Sequence, residues 1–226
     1  MALVNHQTRE VTFKIVYAGT PLSGKTTNLQ YVHTRLDAAH RGDLVSVATA
    51  TDRTLYFDFM PVTATQVGGY TAKFALYTVP GQVHYNATRQ LVLRGADGLV
   101  FVADSSGDRL EENLESARSL MRNLQDNATS LDHLPLVLQY NKRDLPEAAP
   151  RAQLDYLLNR PQNPFPVFET VAHKGVNVFA CLNAVSQQVL RQFHAAMAGG
   201  APANPQAPGP SPATRSGPGG APSIAS

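Results

Sequence analysis

The chain has 226 residues, of which 43% are hydrophobic and 16% are charged, which is enough for one packed domain with a tail. Its 19 Lys and Arg residues against 17 Asp and Glu residues give a net charge of +2, too small a charge to indicate nucleic-acid binding. The single cysteine, Cys181, excludes an intramolecular disulfide and a zinc cluster. No apolar stretch approaches the about 20 residues of a membrane span, and no lipidation motif is present, so we expect a cytoplasmic protein without a membrane anchor.

Predicted strands and helices alternate along most of the chain. In chain order the sequence predicts a strand over residues 11–17, a helix over 28–35, a hairpin of strands 56–62 and 72–79, and strands over 98–103, 136–140 and 167–171. The apolar runs 98–103 and 136–140 are typical of central parallel strands. Apolar residues recur at helical spacing in two predicted amphipathic helices, namely Leu110, Leu114, Ala117, Met121 and Leu124, and Val178, Leu182, Val185, Val189 and Phe193. The fold class is therefore α/β, with a doubly wound, mostly parallel sheet.

The composition changes abruptly near the end of the chain. Residues 199–226 contain seven Pro, six Gly, six Ala and four Ser, and Arg215 is the one charged residue among them. Such a segment lacks the apolar side chains that would offset its ordering entropy. We therefore predict a folded domain over residues 1–198 and a disordered tail over residues 199–226, which is either an inert linker or a docking peptide.

A phosphate-binding motif follows the first predicted strand directly. Residues 19–26 read GTPLSGKT and match the pattern GxxxxGK[ST]. Glycines allow a tight turn that points successive backbone N–H groups at a phosphate, while Lys25 reaches the terminal phosphates and the Thr26 hydroxyl ligates Mg²⁺. The predicted phosphate-binding residues in this segment are Gly19, Leu22, Ser23, Gly24, Lys25, Thr26 and Thr27.

A base-reading motif, NKRD at residues 141–144, follows the strand predicted over 136–140. The Asp144 carboxylate can accept from the guanine ring N–H and the exocyclic amine together, whereas adenine would present an acceptor there. Asn141 can form hydrogen bonds with the other edge of the base, and the aliphatic part of the Lys142 side chain can lie over the face of the base. The two motifs together predict that the protein binds GTP and GDP.

In these two motifs, residues 1 to about 197 resemble the small Ras-like GTPases, and more closely the bacterial MglA branch, which sets cell polarity for motility. The likeness also rests on KTTNLQY at residues 25–31, TDRTL at 51–55, FDF at 57–59, LYTVPGQ at 76–82 and VADS at 102–105. It implies a P-loop NTPase domain of the Ras-like type with one antiparallel edge strand. It also implies a GTP-dependent switch with a Roadblock-type (MglB-like) homodimeric activating partner, downstream polarity or motility effectors, and recruitment to a cell pole.

Phosphoryl transfer needs an oriented water and a cation near the developing charge. Gln82 is the candidate that orients the water, although it can equally be a surface glutamine, and residues 82–95 are the predicted second switch segment. Arg53 is a candidate arginine finger supplied within the chain, unless it pairs with a neighbouring carboxylate. Thr54 can offer its hydroxyl to Mg²⁺, and Gly81 its N–H to the γ-phosphate. Ala172 matches the position whose backbone N–H binds the guanine oxygen in the resembling family.

One position departs from the usual Ras-like pattern DxxG, because residues 78–81 read TVPG, with Thr78 in place of Asp. A hydroxyl supports Mg²⁺ less than a carboxylate, so either Asp58 or Asp52 reaches in from the neighbouring segment or the ion is held less firmly. We expect a GTPase that is slow without an activator. The alternative is a GTP-binding scaffold with negligible hydrolysis, while a small-molecule kinase is disfavoured by the guanine-reading motif.

Overall fold

The computed structural model describes residues 2–46, 58–80 and 86–197. Four predicted functional residues lie outside these ranges, namely Arg53, Thr54, Gly81 and Gln82. The predicted tail over residues 199–226 and the first two residues of the predicted strand 56–62 also lie outside them.

The described residues form one sheet of eight strands with five α-helices. The strands are β1 (Leu3–Asn5), β2 (Glu10–Gly19), β3 (Val45–Ser46), β4 (Asp58–Val67), β5 (Tyr70–Thr78), β6 (Gly98–Asp104), β7 (Leu136–Asn141) and β8 (Val167–Glu169). The α-helices are α1 (Lys25–Arg35), α2 (Asn86–Leu93), α3 (Leu110–Asp126), α4 (Arg151–Leu158) and α5 (Val178–Met197). Short 3₁₀ turns occupy Ala38–His40, Gly107–Arg109 and Ala172–Lys174.

The strand order is β3-β4-β5-β2-β6-β7-β8, with β1 paired to β2 outside this path. Strands β5, β2, β6, β7 and β8 are parallel to one another. Strand β4 runs antiparallel to β5, and β3 extends that antiparallel edge by two residues. The predicted α/β fold with a mostly parallel sheet is confirmed, and β1 and β3 are short antiparallel additions to it.

Helices cover both faces of the sheet, as the continuous apolar strands require. Helices α1 and α5 pack on one face, where Leu29 and Val185 are fully buried. Helices α2, α3 and α4 pack on the other face, where Leu93, Leu124 and Leu154 are at most 1% exposed. Within the described ranges, no helix combines the length and the apolar character that crossing a membrane requires.

The predicted buried face of α3 is partly wrong. Met121 is 44% exposed, and the neighbouring Leu120 is buried in its place. The physical reason lies in Asn113, which is fully buried. Its amide group donates to the carbonyl oxygen of Asp104 at 2.7 Å and accepts from the Asp104 N–H at 3.0 Å. These two bonds turn the helix so that Asn113, Leu120 and Leu124, rather than Met121, face the sheet. Helices α2 and α4, each of eight residues, were not predicted as helices.

Candidate functional site

The described site residues gather at one edge of the sheet. Strands β2, β6 and β7 are parallel, so their last residues Gly19, Asp104 and Asn141 meet at the carboxyl edge, where ligands bind in such folds. Strand β4 runs the other way and therefore begins at this edge with Asp58, beside Thr78 at the end of β5. The topology thus brings five separate stretches of the chain to one place.

The loop between β2 and α1 has the shape of an anion cradle. Its backbone is left-handed at Leu22, with φ 60°, and at Gly24, with φ 101°. A Cβ at position 24 would lie 2.2 Å from Asn141 Nδ2, so glycine is required there. Leu22 is 82% exposed and the Ser23 side chain is fully buried. The Ser23 N–H donates to the Thr20 carbonyl oxygen at 3.4 Å, so phosphate binding by Leu22 and Ser23 stays a prediction. Helix α1 begins at Lys25, and the first N–H groups of a helix have no partner within it.

Lys25 is a buried cation, 7% exposed. Its Nζ donates to the carbonyl oxygens of Gly19 at 3.0 Å and Thr20 at 2.5 Å. The pKa of Lys25 is lowered to about 7, mainly because the side chain is buried and also because Arg89 repels its charge, while attraction to Asp58 partly offsets these two effects. An ammonium group held by carbonyl oxygens alone is stabilised by a nearby anion, so the environment of Lys25 fits a phosphate.

Asp58 lies at the centre of a cluster of hydroxyl groups. Its carboxylate, 3% exposed, accepts from Thr26 Oγ1 at 2.6 Å, Ser46 Oγ at 2.7 Å and Thr78 Oγ1 at 3.0 Å. Of the two aspartates considered as substitutes for the missing switch carboxylate, Asp58 therefore contacts both Thr26 and Thr78, whereas Asp52 lies outside the described residues. An all-oxygen set of hydroxyls around one carboxylate is the chemistry that Mg²⁺ prefers.

The base-reading segment is joined directly to the phosphate loop by Asn141. Its Nδ2 donates to the Ser23 carbonyl oxygen at 2.7 Å. Its Oδ1 accepts from the Ala172 N–H at 2.9 Å and from Thr170 Oγ1 at 3.1 Å. Since the Ala172 N–H already donates to Asn141, its contact with a guanine oxygen stays a prediction. The side chain of Asn141 thus fixes three loops relative to one another.

The two charged side chains of the NKRD segment that were assigned to the base each have a partner of opposite charge. Lys142, whose φ is 66°, places its Nζ 2.5 Å from Oδ2 of Asp104. Asp144 Oδ2 accepts from Lys174 Nζ at 3.0 Å. The hydrogen bond from Lys174 is the main cause that lowers the pKa of Asp144 below its usual value, so this carboxylate is ionised at neutral pH, as guanine recognition requires.

A buried polar network behind the phosphate loop was not predicted from the sequence. Gln139 Nε2 donates to Asn28 Oδ1 at 2.8 Å and to Thr170 Oγ1 at 3.0 Å. Asn28 Nδ2 in turn donates to the Gly24 carbonyl oxygen at 2.8 Å. Gln139 itself could have indicated this network from the sequence, because it is a polar residue inside the apolar run 136–140. Lys174 and Asp104 were also not recognised as partners of the base-reading residues.

The fold and the site together define a P-loop protein of the Ras-like GTPase class. The sequence profile of the ADP-ribosylation factor family matches residues 1–194. The chain is 47% identical over 193 residues to the mutual gliding-motility protein MglA of Myxococcus xanthus (strain DK1622), which covers 85% of this chain and 98% of that relative. It is 25% identical over 178 residues to the Ras-related protein Rab7 of Drosophila melanogaster, covering 78% and 80% of the two chains. The chain therefore belongs to the ADP-ribosylation factor family, and the predicted likeness to the MglA branch is confirmed.

Proposed function

We propose that the protein is a GTP-hydrolysing molecular switch that controls cell polarity or motility together with a Roadblock-type homodimeric activating protein. The main support for guanine-nucleotide recognition is the 2.7 Å hydrogen bond from Asn141 Nδ2 to the Ser23 carbonyl oxygen. This bond holds the base-reading segment and the phosphate loop at a fixed separation. The 47% identity with a relative that is named for gliding motility supports the cellular role.

In this proposal each end of the nucleotide has its own set of residues. Asp144 accepts from the two guanine donors, while the backbone N–H groups of the loop and the Lys25 ammonium bind the phosphates. Mg²⁺ would be held by the hydroxyls of Thr26 and Thr54, and it would neutralise charge on the phosphate oxygens. The role of Asp58 is to accept hydrogen bonds from the ligands around that ion, which orients them.

The proposed hydrolytic step uses two side chains outside the described residues. Gln82 orients the attacking water, and Arg53 neutralises the charge that develops on the transferred phosphoryl group. Gly81 directs its N–H to the γ-phosphate. We propose that the activating partner organises these groups rather than supplying a catalytic side chain of its own, which makes hydrolysis slow when the partner is absent. Thr78 in place of a carboxylate favours the second candidate, a GTP-binding scaffold with negligible hydrolysis.

The substitution Asp144→Asn tests guanine recognition. The variant loses its paired acceptor and presents an amide donor to the guanine donors, so GTP affinity should fall by at least roughly a hundredfold. Affinity for xanthine nucleotides should rise, because their carbonyl group replaces the exocyclic amine. A fluorescence titration with both nucleotides measures this, and a variant that binds GTP as tightly as the parent would refute the base assignment.

The substitutions Arg53→Ala and Gln82→Leu test the hydrolytic step. Each should preserve nucleotide affinity while partner-stimulated turnover falls. For Arg53→Ala the fall should be about 10³ to 10⁵, the usual effect of an arginine finger. Single-turnover hydrolysis with saturating partner measures the rate. Full stimulation of Arg53→Ala would show that the cation comes from elsewhere. An unmodified chain that releases no phosphate even with the partner present would favour the scaffold.

A further inference from the structure

Lys174 is an unassigned cation beside the base-reading carboxylate. Its Nζ lies 3.0 Å from Asp144 Oδ2, and His173 Nε2 lies 3.6 Å from the same oxygen. The Lys174 side chain is 57% exposed and that of Asp144 is 26% exposed. The pair is therefore open to solvent on one side, and the amino group reaches the carboxylate without being buried itself.

The backbone that carries Lys174 is held in place by its neighbours. The Lys174 N–H donates to the Val171 carbonyl oxygen at 3.0 Å and closes the turn Ala172–Lys174. The next residue, Gly175, has φ 78°, and a Cβ at this position would lie 1.7 Å from Cζ of Tyr31 on α1. The turn thus packs directly against α1, so the backbone position from which the Lys174 side chain extends is fixed.

The carboxylate is anchored to the same corner of the fold. The N–H of Arg143, the residue before Asp144, donates to the Thr170 carbonyl oxygen at 3.1 Å. Both members of the pair are therefore attached to the segment that follows β8. A pair between residues whose backbones are already fixed loses less backbone entropy on forming than a pair between residues on free loops.

A carboxylate oxygen has two lone pairs, so Oδ2 of Asp144 can accept from Lys174 and from a guanine N–H at the same time. We propose that Lys174 is a positioning residue of the base pocket, which holds the Asp144 carboxylate in the orientation that guanine needs and thereby slows nucleotide release. This inference rests on the proposed guanine recognition by Asp144. Lys174 acts through Asp144 and need not touch the nucleotide.

The test is the dissociation rate of fluorescently labelled GDP from the full chain. Lys174→Ala should accelerate release by about two- to fivefold, the range of an exposed ion pair. Lys174→Arg should restore the parental rate, because it keeps the cation. The acceleration should vanish in about 1 M salt, where the screening length falls to about 3 Å. Arg191→Ala on α5 is the matched control, since it removes one exposed cation outside the site, and its rate should equal that of the parent.

The background Asp144→Asn separates positioning from a general structural effect. With a xanthine nucleotide bound to this variant, Lys174→Ala should change the release rate much less, because the carboxylate that Lys174 orients is gone. Unchanged release from Lys174→Ala, or an equal acceleration in both backgrounds, would overturn the inference. If Asp144→Asn fails to prefer xanthine, the guanine assignment itself is wrong. If it does prefer xanthine while Lys174→Ala has no effect, only the role of Lys174 is refuted.

Discussion

The substitution Asp58→Asn should weaken Mg²⁺ binding while leaving the fold intact. The carboxylate accepts from Thr26, Ser46 and Thr78 at 2.6 to 3.0 Å. An amide of the same shape keeps one acceptor but removes the negative charge that faces the ion. Removing the partner that orients metal ligands typically costs about 10- to 100-fold in metal affinity. Since hydroxyls can donate or accept, the three neighbours can reorient, and the loss of folding stability should stay near about 1 to 3 kcal/mol.

The assay is GDP release as a function of Mg²⁺ concentration. In the parent the rate should fall with a single midpoint, and Asp58→Asn should move that midpoint to higher Mg²⁺. Asp43→Asn is the control, because Asp43 is an exposed acidic residue on the segment before β3. A midpoint that Asp58→Asn leaves unchanged would show that the carboxylate has only a structural role.

A swap of the two contacting side chains sharpens this test. Asp58→Thr combined with Thr78→Asp moves the carboxylate back to the first position of the DxxG pattern. Because Thr78 Oγ1 lies 3.0 Å from Asp58 Oδ2, the carboxylate moves by only a short distance. The double variant should recover most of the Mg²⁺ affinity that Asp58→Asn loses. If the double variant keeps the parental melting temperature but does not recover Mg²⁺ affinity, then Mg²⁺ binding requires the carboxylate to be on β4.

Two further predictions concern charge and chain length. Lys25 with a pKa of about 7 loses its proton above neutral pH and must regain it when phosphates bind. Nucleotide binding should therefore take up a proton, and affinity should fall by up to about tenfold per pH unit above pH 7. Calorimetry in buffers of different ionisation enthalpy measures the proton uptake. No uptake at pH 8 would contradict this prediction. Deleting residues 199–226 should leave melting temperature and GDP affinity unchanged, because residues 2–197 already hold the core and the described site. A large fall in melting temperature would refute the predicted boundary.

From the sequence, only those parts of the candidate site that are contiguous in the chain could be predicted. The phosphate loop and the NKRD segment each lie within one loop after a strand, so spacing alone predicted them. The network of Gln139, Asn28 and Thr170 was not predictable in this way, because it depends on which residues the packed sheet brings together. The buried face of α3 likewise depends on Asn113, whose partner Asp104 belongs to another element.

The position of Asp58 could be stated only as one of two alternatives, and the reason is the register of an antiparallel pair. Phe59 of β4 lies opposite Tyr77 of β5, so the residues beyond them, Asp58 and Thr78, also meet. A one-residue slip would turn Asp58 to the other face of the sheet and separate the two side chains. Sequence spacing between positions 58 and 78 does not determine this register.

The carboxylate lies on β4 rather than on β5, which changes the strand that would carry the proposed metal site. Strand β5 leads into Gly81 and Gln82, whereas β4 follows the segment that contains Arg53 and Thr54. Under the proposed function, a carboxylate at position 58 would therefore support Mg²⁺ from the strand that follows the segment containing Arg53. Thr78 would contribute only a neutral hydroxyl from β5. Under the proposed function, a shift of β4 along β5 would change the support of the ion and the position of Arg53 together. The Asp58 and Thr78 swap would separate those two effects, because it moves the carboxylate to β5 and leaves the sequence of the segment containing Arg53 unchanged.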